Sequence, residues 1–208
     1  MGGVIGIVDA GLGNIGSIQN MLRRLDVPCI VASDPIQLGK AAALILPGVG
    51  SFDKGMGAIR QLGLVEFLGA QRAAGTAILG ICLGMQLMCR GSEEGDEEGL
   101  GWLDAAVIKF RPDDGQHLRV PHMGWNDVRC VRSSPLLDNS EMNRFYFVHS
   151  YHLSCQRSED VVGLTAYGHE FASVVQNGSI YGVQFHPEKS HRFGMRLLER
   201  FVQLAVGR

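Results

Sequence analysis

Thr76-Ala77-Ile78-Leu79-Gly80-Ile81-Cys82-Leu83-Gly84-Met85-Gln86 is the stretch on which the reading of this chain turns. Thr76 to Ile81 is an apolar run with the length and composition of a buried strand, and Met85 to Cys89 reads as a short helix. Between them a single cysteine stands in Gly-x-Cys-x-Gly. That is the pattern of a nucleophile elbow, a sharp strand-to-helix turn that lifts a reactive side chain above a sheet. Cysteine suits the task because its thiolate is intrinsically nucleophilic and is stabilised at a helix N-terminus. Acyl transfer is the first expectation.

Upstream of the elbow, strand-like and helix-like segments alternate. Val4 to Val8, Pro28 to Val31 and Ala43 to Leu46 read as strands. Asn14 to Leu25 has helical spacing of Ile15, Ile18, Met21, Leu22 and Leu25, and Phe52 to Ala73 reads as helical. Alternation of this kind predicts an α/β fold with a mainly parallel central sheet flanked by helices. Downstream the character changes. Residues 91–101 are acidic and glycine-rich and read as a solvated loop. Ala105 to Phe110, Asn126 to Val131, Arg144 to Val148, Val161 to Tyr167, Phe171 to Gln176 and Ile180 to Gln184 read as short strands, antiparallel additions to the sheet. Ser190 to Val206 reads as a closing amphipathic helix. No linker or repeat interrupts residues 1–208, so one domain is expected.

Bulk composition narrows the class. With 46% hydrophobic and 19% charged residues the chain is globular, and a net charge of −2 gives no electrostatic case for nucleic acid or an anionic membrane. The N-terminus lacks a basic n-region and glycines break its apolar stretch, so neither a signal peptide nor a membrane span is expected. Five cysteines at irregular spacing, with no CxxC, argue against a disulfide framework or a zinc site. A reducing cytoplasm fits. Cys29, Cys89, Cys130 and Cys155 read as packing.

A cysteine nucleophile needs a base, and the base needs an orienting group. Gly182-Val183-Gln184-Phe185-His186-Pro187-Glu188-Lys189-Ser190 supplies both. His186 ends an apolar strand, and in extended backbone Glu188, two residues on, points to the same face. A Cys82-His186-Glu188 triad is therefore expected. Attack on a carbonyl also needs oxyanion donors. The backbone N–H of Leu83 is the natural first donor. The glycine-rich turn Pro47-Gly48-Val49-Gly50-Ser51-Phe52 offers a second. Gln86 lies one helical turn beyond Cys82, facing the same pocket.

Gly11-Leu12-Gly13-Asn14-Ile15-Gly16 is a rival motif, a literal GxGxxG between strand and helix with Asp34 further on. Dinucleotide binding through Gly11 to Gly16 is the competing reading. It leaves the Cys-His-Glu set unexplained and has no visible second mononucleotide half.

Taken together, these motifs and the segments Pro121-His122-Met123-Gly124-Trp125-Asn126 and Phe147-Val148-His149-Ser150-Tyr151 resemble the class I glutamine amidotransferases. Within them the likeness is greatest to the glutaminase subunits of imidazole glycerol phosphate synthase, and it runs end to end. The resemblance implies a flavodoxin-like domain in which Cys82 is the nucleophile, His186 the base and Glu188 its orienter. It implies that Val49 and Leu83 give the oxyanion N–H groups, and that Gly50, Gln86, Ser150 and Tyr151 hold L-glutamine. Asn14, Trp125 and Lys189 match positions toward a (βα)₈ cyclase subunit, which forms a heterodimer with the glutaminase and takes its ammonia into histidine biosynthesis. Neither a metal nor an organic cofactor is implied. Ala10 and Ile15 depart from the family pattern on the partner-facing turn. Related glutaminases that feed sugar-amidating enzymes of surface polysaccharides therefore remain an alternative. His122 and His149 read as structural or pocket-lining, and His117, His152, His169 and His191 as surface residues or a supporting layer.

Overall fold

A computed structural model describes residues 3–111, 118–140 and 142–207. His117 lies outside them. The N-terminal half builds β1 (Ile5–Val8), α1 (Ile15–Arg24), β2 (Cys29–Ala32), α2 (Pro35–Leu38), β3 (Ala43–Gly48), α3 (Phe52–Gln61), α4 (Leu64–Ala73), β4 (Ala77–Cys82) and α5 (Leu83–Gln86). The helical material expected over Phe52 to Ala73 is divided into α3 and α4 at Gly63, which adopts the left-handed conformation (φ 65°). α1 buries Ile18, Met21 and Leu22 on the sheet and places Arg23 and Arg24 in its last turn, where the helix dipole favours cations.

The C-terminal half adds β5 (Ala105–Lys109), β6 (His122–Asp127), β7 (Arg129–Cys130), β8 (Arg144–His149), β9 (Tyr151–Cys155), β10 (Val161–Tyr167), β11 (His169–Asn177), β12 (Ile180–Val183) and α6 (His191–Val206). The main sheet runs β2-β1-β3-β4-β12-β11-β10-β7, with β9 on β11 and β5 on β9. Its first five strands are parallel and follow the flavodoxin-like order, the fifth coming from near the far end of the chain. Two apolar clusters fill the two faces. Ile5, Ile7, Ile45, Leu79, Val183 and Phe201 belong to one, and Leu44, Leu46, Phe52, Ile78, Leu83 and Met88 to the other.

Two expectations need correction. The strand read over 126–131 begins at His122, ends at Asp127 and resumes as the two-residue β7. β6 and β8 form a separate two-stranded ribbon, and only β7 joins the main sheet, antiparallel to β10. Residues 91–101 are not a free solvated loop either. The Asp53 carboxylate accepts from the N–H groups of Asp96 and Glu97, Glu97 pairs with Arg60, and Glu93 accepts from Lys109 N. The loop is tied to the start of α3, whose N-terminal N–H groups and dipole favour carboxylates.

Register explains what this fold brings together. Gly48 stands opposite Cys82, and Val183 opposite Ile81. The carboxyl ends of β3, β4 and β12 therefore meet, at the edge where open α/β sheets bind ligands.

Candidate active site

Cys82 closes β4 at φ 52° and ψ −110°, a sparsely populated conformation for a residue with a side chain. Its neighbours are glycine for reasons of space. A Cβ on Gly80 would stand 2.7 Å from Met85 N, and one on Gly84 would stand 1.8 Å from the Leu46 carbonyl oxygen. A Cβ on Gly48 would meet Gly84 N at 2.9 Å. The elbow is thus wedged against β3 without room for a methyl group. The helix begins at Leu83, directly after the cysteine and earlier than the expected Met85. Leu83 N–H, at the first helical position, has no carbonyl of its own helix to pair with.

His186 arrives from the next strand over. The strand itself stops at Val183, and Pro187–Lys189 is a 3₁₀ turn, so the extended His-x-Glu geometry expected from the sequence is not how the pair meets. The turn does the same work: His186 Nδ1–H donates to Glu188 Oε1 at 2.8 Å, with both side chains almost wholly buried. Its backbone is held from both sides. His186 N–H donates to the Tyr146 carbonyl at 2.9 Å, and Ser190 Oγ–H donates to the His186 carbonyl at 2.6 Å while accepting from Tyr146 N. His186 Nε2 is buried and makes no hydrogen bond of good geometry. Burial opposes the imidazolium, but the Cys82 sulfur and the Glu188 carboxylate outweigh it and raise the His186 pKa to about 9. The ring is therefore a proton donor at neutral pH.

These groups share a cavity of about 350 Å³ lined by Val49, Gly50, Cys82, Leu83, Gln86, Glu94, Pro121, Val148, His149, Ser150, Tyr151, His186 and Lys189. Its size suits an amino-acid-sized ligand. Gly50 sits at φ 108°, a conformation that favours glycine. Gln86 donates through Nε2 to the Tyr151 carbonyl (3.1 Å) and to Gln184 Oε1 (3.2 Å), and Gln184 Nε2 reaches Cys82 Sγ at 3.7 Å.

The structure brings together ten of the residues singled out above: Cys82, His186, Glu188, Val49, Leu83, Gly50, Gln86, Ser150, Tyr151 and Lys189. The other two lie outside the cavity on exposed ground. Asn14 caps α1 without a side-chain capping bond, and Trp125 is part-exposed and stacked on His191 at 5.6 Å. Lys189 lies over the Tyr146 ring at 5.8 Å. The sequence does not mark Glu94, because it sits in an acidic run that reads as a solvated loop. Its Oε2 accepts from Phe52 N at 2.9 Å, which plants a carboxylate on the pocket rim. Gln184 was also missed, since in sequence it is one polar residue inside an apolar strand.

The glycine motif does not behave as a dinucleotide fingerprint. The Asp34 carboxylate is already occupied, accepting from Gln37 N and Nε2 at the start of α2. Gly16, which would have to pack closely on the sheet, faces open space. The fold and site do not favour that alternative. His152 is buried, not a surface residue, and its Nε2 pairs with His169 Nε2 at 3.1 Å. All five cysteines are free; Cys89 is fully buried, whereas Cys29, Cys130 and Cys155 are half-buried. No group of three or more His, Cys, Asp or Glu side chains among the described residues is arranged to hold a metal ion. Among the described residues, no helix is long and apolar enough to cross a membrane.

Comparison with known proteins converges on one family. The model of glutamine amidotransferase class-I matches residues 6–204. Imidazole glycerol phosphate synthase subunit HisH 2 of Methanococcus maripaludis is 47% identical, over 97% of this chain and 100% of its own length. Subunit HisH of Geobacillus thermodenitrificans is 46% identical, over 99% and 98%. Among solved structures, PurLQS from Thermotoga maritima superposes with a TM-score of 0.77 at 18% identity, over 98% of this chain and 99% of that one. A crystal structure of a glutamine amidotransferase gives 0.75 at 20%, over 99% and 100%. At those identities the structural matches speak to the fold. The full-length sequence matches and the family model carry the assignment: this chain belongs to the class I glutamine amidotransferases.

Proposed function

We propose that this chain is the glutaminase subunit of imidazole glycerol phosphate synthase, and that residues 1–208 form one amidotransferase domain. The observation that carries the chemistry is the meeting of Cys82 with the His186–Glu188 pair in one cavity at the carboxyl edge of the sheet. The Cys82 thiolate attacks the carboxamide carbon of L-glutamine, and the backbone N–H groups of Val49 and Leu83 receive the oxyanion. Collapse of the tetrahedral intermediate breaks the C–N bond, and His186 gives its proton to the leaving ammonia. A γ-glutamyl thioester remains. His186, now neutral, takes a proton from water, the hydroxide attacks the thioester, and glutamate leaves with the thiolate restored. Glu188 holds the ring so that Nδ1–H points away from the sulfur and Nε2 toward it.

Gly50, Gln86, Ser150 and Tyr151 hold the substrate. Asn14, Trp125 and Lys189 face a (βα)₈ cyclase subunit, which forms a heterodimer with this chain and consumes the ammonia in histidine biosynthesis. The full-length likeness to subunits named for that synthase supports this assignment over polysaccharide amidation. The test is a Cys82→Ala variant assembled with its cyclase. It is expected to lose synthesis from glutamine and keep synthesis from added ammonia. Glutamine-dependent synthesis in that variant would overturn the nucleophile assignment.

A further inference from the structure

From His149 in the pocket wall back to Asn126 runs a second set of polar groups that the triad does not use. His149 Nδ1 is 2.8 Å from the Tyr151 carbonyl, an atom that can only accept, so Nδ1 carries a hydrogen. His149 Nε2 is 3.0 Å from His122 Nδ1, and His122 Nε2 is 3.2 Å from Asn126 Nδ2. With both rings neutral, only one assignment of hydrogens satisfies every pair. Asn126 donates to His122 Nε2, His122 Nδ1–H donates to His149 Nε2, and His149 Nδ1–H donates to the Tyr151 carbonyl. Burial supports neutrality by lowering the pKa of His122 to about 4 and that of His149 to about 3. The second Asn126 amide hydrogen goes to the Ala166 carbonyl at 2.9 Å, so the chain is anchored at its far end.

The Tyr151 carbonyl is the junction with the active site, because it also accepts from Gln86 Nε2. Gln86 gives its other amide hydrogen to Gln184 Oε1, whose own amide points at the Cys82 sulfur. Both Gln86 N–H bonds are thus directed inward, leaving Oε1 for the pocket that Gln86 lines.

We infer that His122 and His149 are positioning residues: their one-way hydrogen-bond chain fixes the Tyr151 carbonyl, and through it the Gln86 amide, so that Gln86 Oε1 is presented to an N–H donor of the bound substrate. This rests on the glutaminase reading above. The competing account is packing alone, since the His122 ring is stacked between Phe147 (4.8 Å) and Tyr167 (4.0 Å). Two substitutions separate the roles. His122→Phe keeps the stack and removes the donor to His149. His122→Asn keeps a donor near the Nδ1 position and loses the stack.

The readout is L-glutamine affinity by calorimetry in a Cys82→Ser background, which keeps a hydrogen-bond acceptor for Gln184 and stops turnover. His122→Phe is expected to weaken glutamine about five- to tenfold, the worth of one lost buried hydrogen bond, and to lower Tm as well, because His149 Nε2 and the Asn126 amide lose their partner. His122→Asn is expected to lower Tm but keep affinity within about twofold of the parent, because the donor survives. His149→Asn, which keeps a donor to Tyr151, serves as a second rescue if His122→Asn does not fold. Iodoacetamide labelling of Cys82 in the wild-type background should proceed equally with and without His122→Phe. Unchanged glutamine affinity in His122→Phe, or affinity that follows Tm across the variants, overturns the inference. Absence of glutamine binding by the Cys82→Ser parent instead overturns the glutaminase reading on which it rests.

Discussion

Replacing Gly84 with alanine tests the wedge that holds Cys82 in place. Alanine is the better helix former by about 1 kcal/mol, and Gly84 is in α5, so propensity alone predicts a gain. Space predicts the reverse. The new Cβ would stand 1.8 Å from the Leu46 carbonyl oxygen, whereas real Cβ contacts essentially never fall below 3.0 Å, and the obstacle is backbone of the central strand β3. The elbow and β3 must therefore separate by more than 1 Å. Overpacking of this kind costs about 1–3 kcal/mol or more. A net loss of about 2 kcal/mol corresponds to roughly 4–8 °C in Tm for a domain of this size. Catalysis should suffer more, because a displacement of about 1 Å at a reacting group costs on the order of 10²-fold. Gly57→Ala is the control. It lies within α3, no atom stands within 4 Å of its added Cβ, and a gain of about 0.5–1 kcal/mol with unchanged turnover is expected there. Differential scanning calorimetry and glutaminase turnover in the assembled enzyme read both variants. Gly84→Ala with wild-type Tm and wild-type turnover would refute the steric account of the elbow.

Two further outcomes concern protons. With the His186 pKa near 9, kcat/KM for glutamine should hold from neutral pH and fall as pH rises through about 9, where the ring loses the proton owed to ammonia. Because Glu188 helps to keep that proton, Glu188→Gln should move this alkaline limb to lower pH in a pH–rate profile; an unmoved limb would contradict the assigned pairing. The second outcome concerns stability in acid. His149 is buried with its pKa lowered to about 3, so the unfolded chain binds its proton first and folding loses stability as pH falls below about 6.5. Between pH 7 and pH 5 this single ring accounts for a loss on the order of 2 kcal/mol. His122 and His152, each lowered to about 4, act in the same direction. Urea titrations at the two pH values check this, and equal midpoints would refute neutral buried histidines.

The parallel half of the fold was legible because buried strands there are continuous apolar runs and α1 carries its apolar residues at helical spacing. The elbow was legible because only glycine fits beside Cys82, a requirement that the sequence states directly. What escaped notice has equally physical causes. β6 carries His122, Trp125 and Asn126, and β9 carries His152 and Ser154, so hydrophobic alternation marks neither strand, although His122 and His152 are buried. Their burial depends on ring stacking and on hydrogen bonds to distant residues, which a local pattern does not show. Glu94 was hidden for a related reason. An acidic run looks solvated until the start of α3, 42 residues away, supplies the N–H that fixes it. His186 and Glu188 were paired correctly on sequence spacing, yet a 3₁₀ turn and not an extended strand joins them, with Pro187 at its first position.

The proposed chemistry depends on Cys82 as the nucleophile of a glutamine site. The most direct test is to treat the chain, alone and with the proposed cyclase subunit, with a glutamine-mimicking chloroketone and to map the adduct by peptide mass spectrometry. One adduct is expected, on Cys82, suppressed by L-glutamine and absent from Cys29, Cys130 and Cys155, although all three are half-buried and not sealed. Labelling of another cysteine with Cys82 untouched, or Cys82 labelling that L-glutamine does not slow, would contradict it.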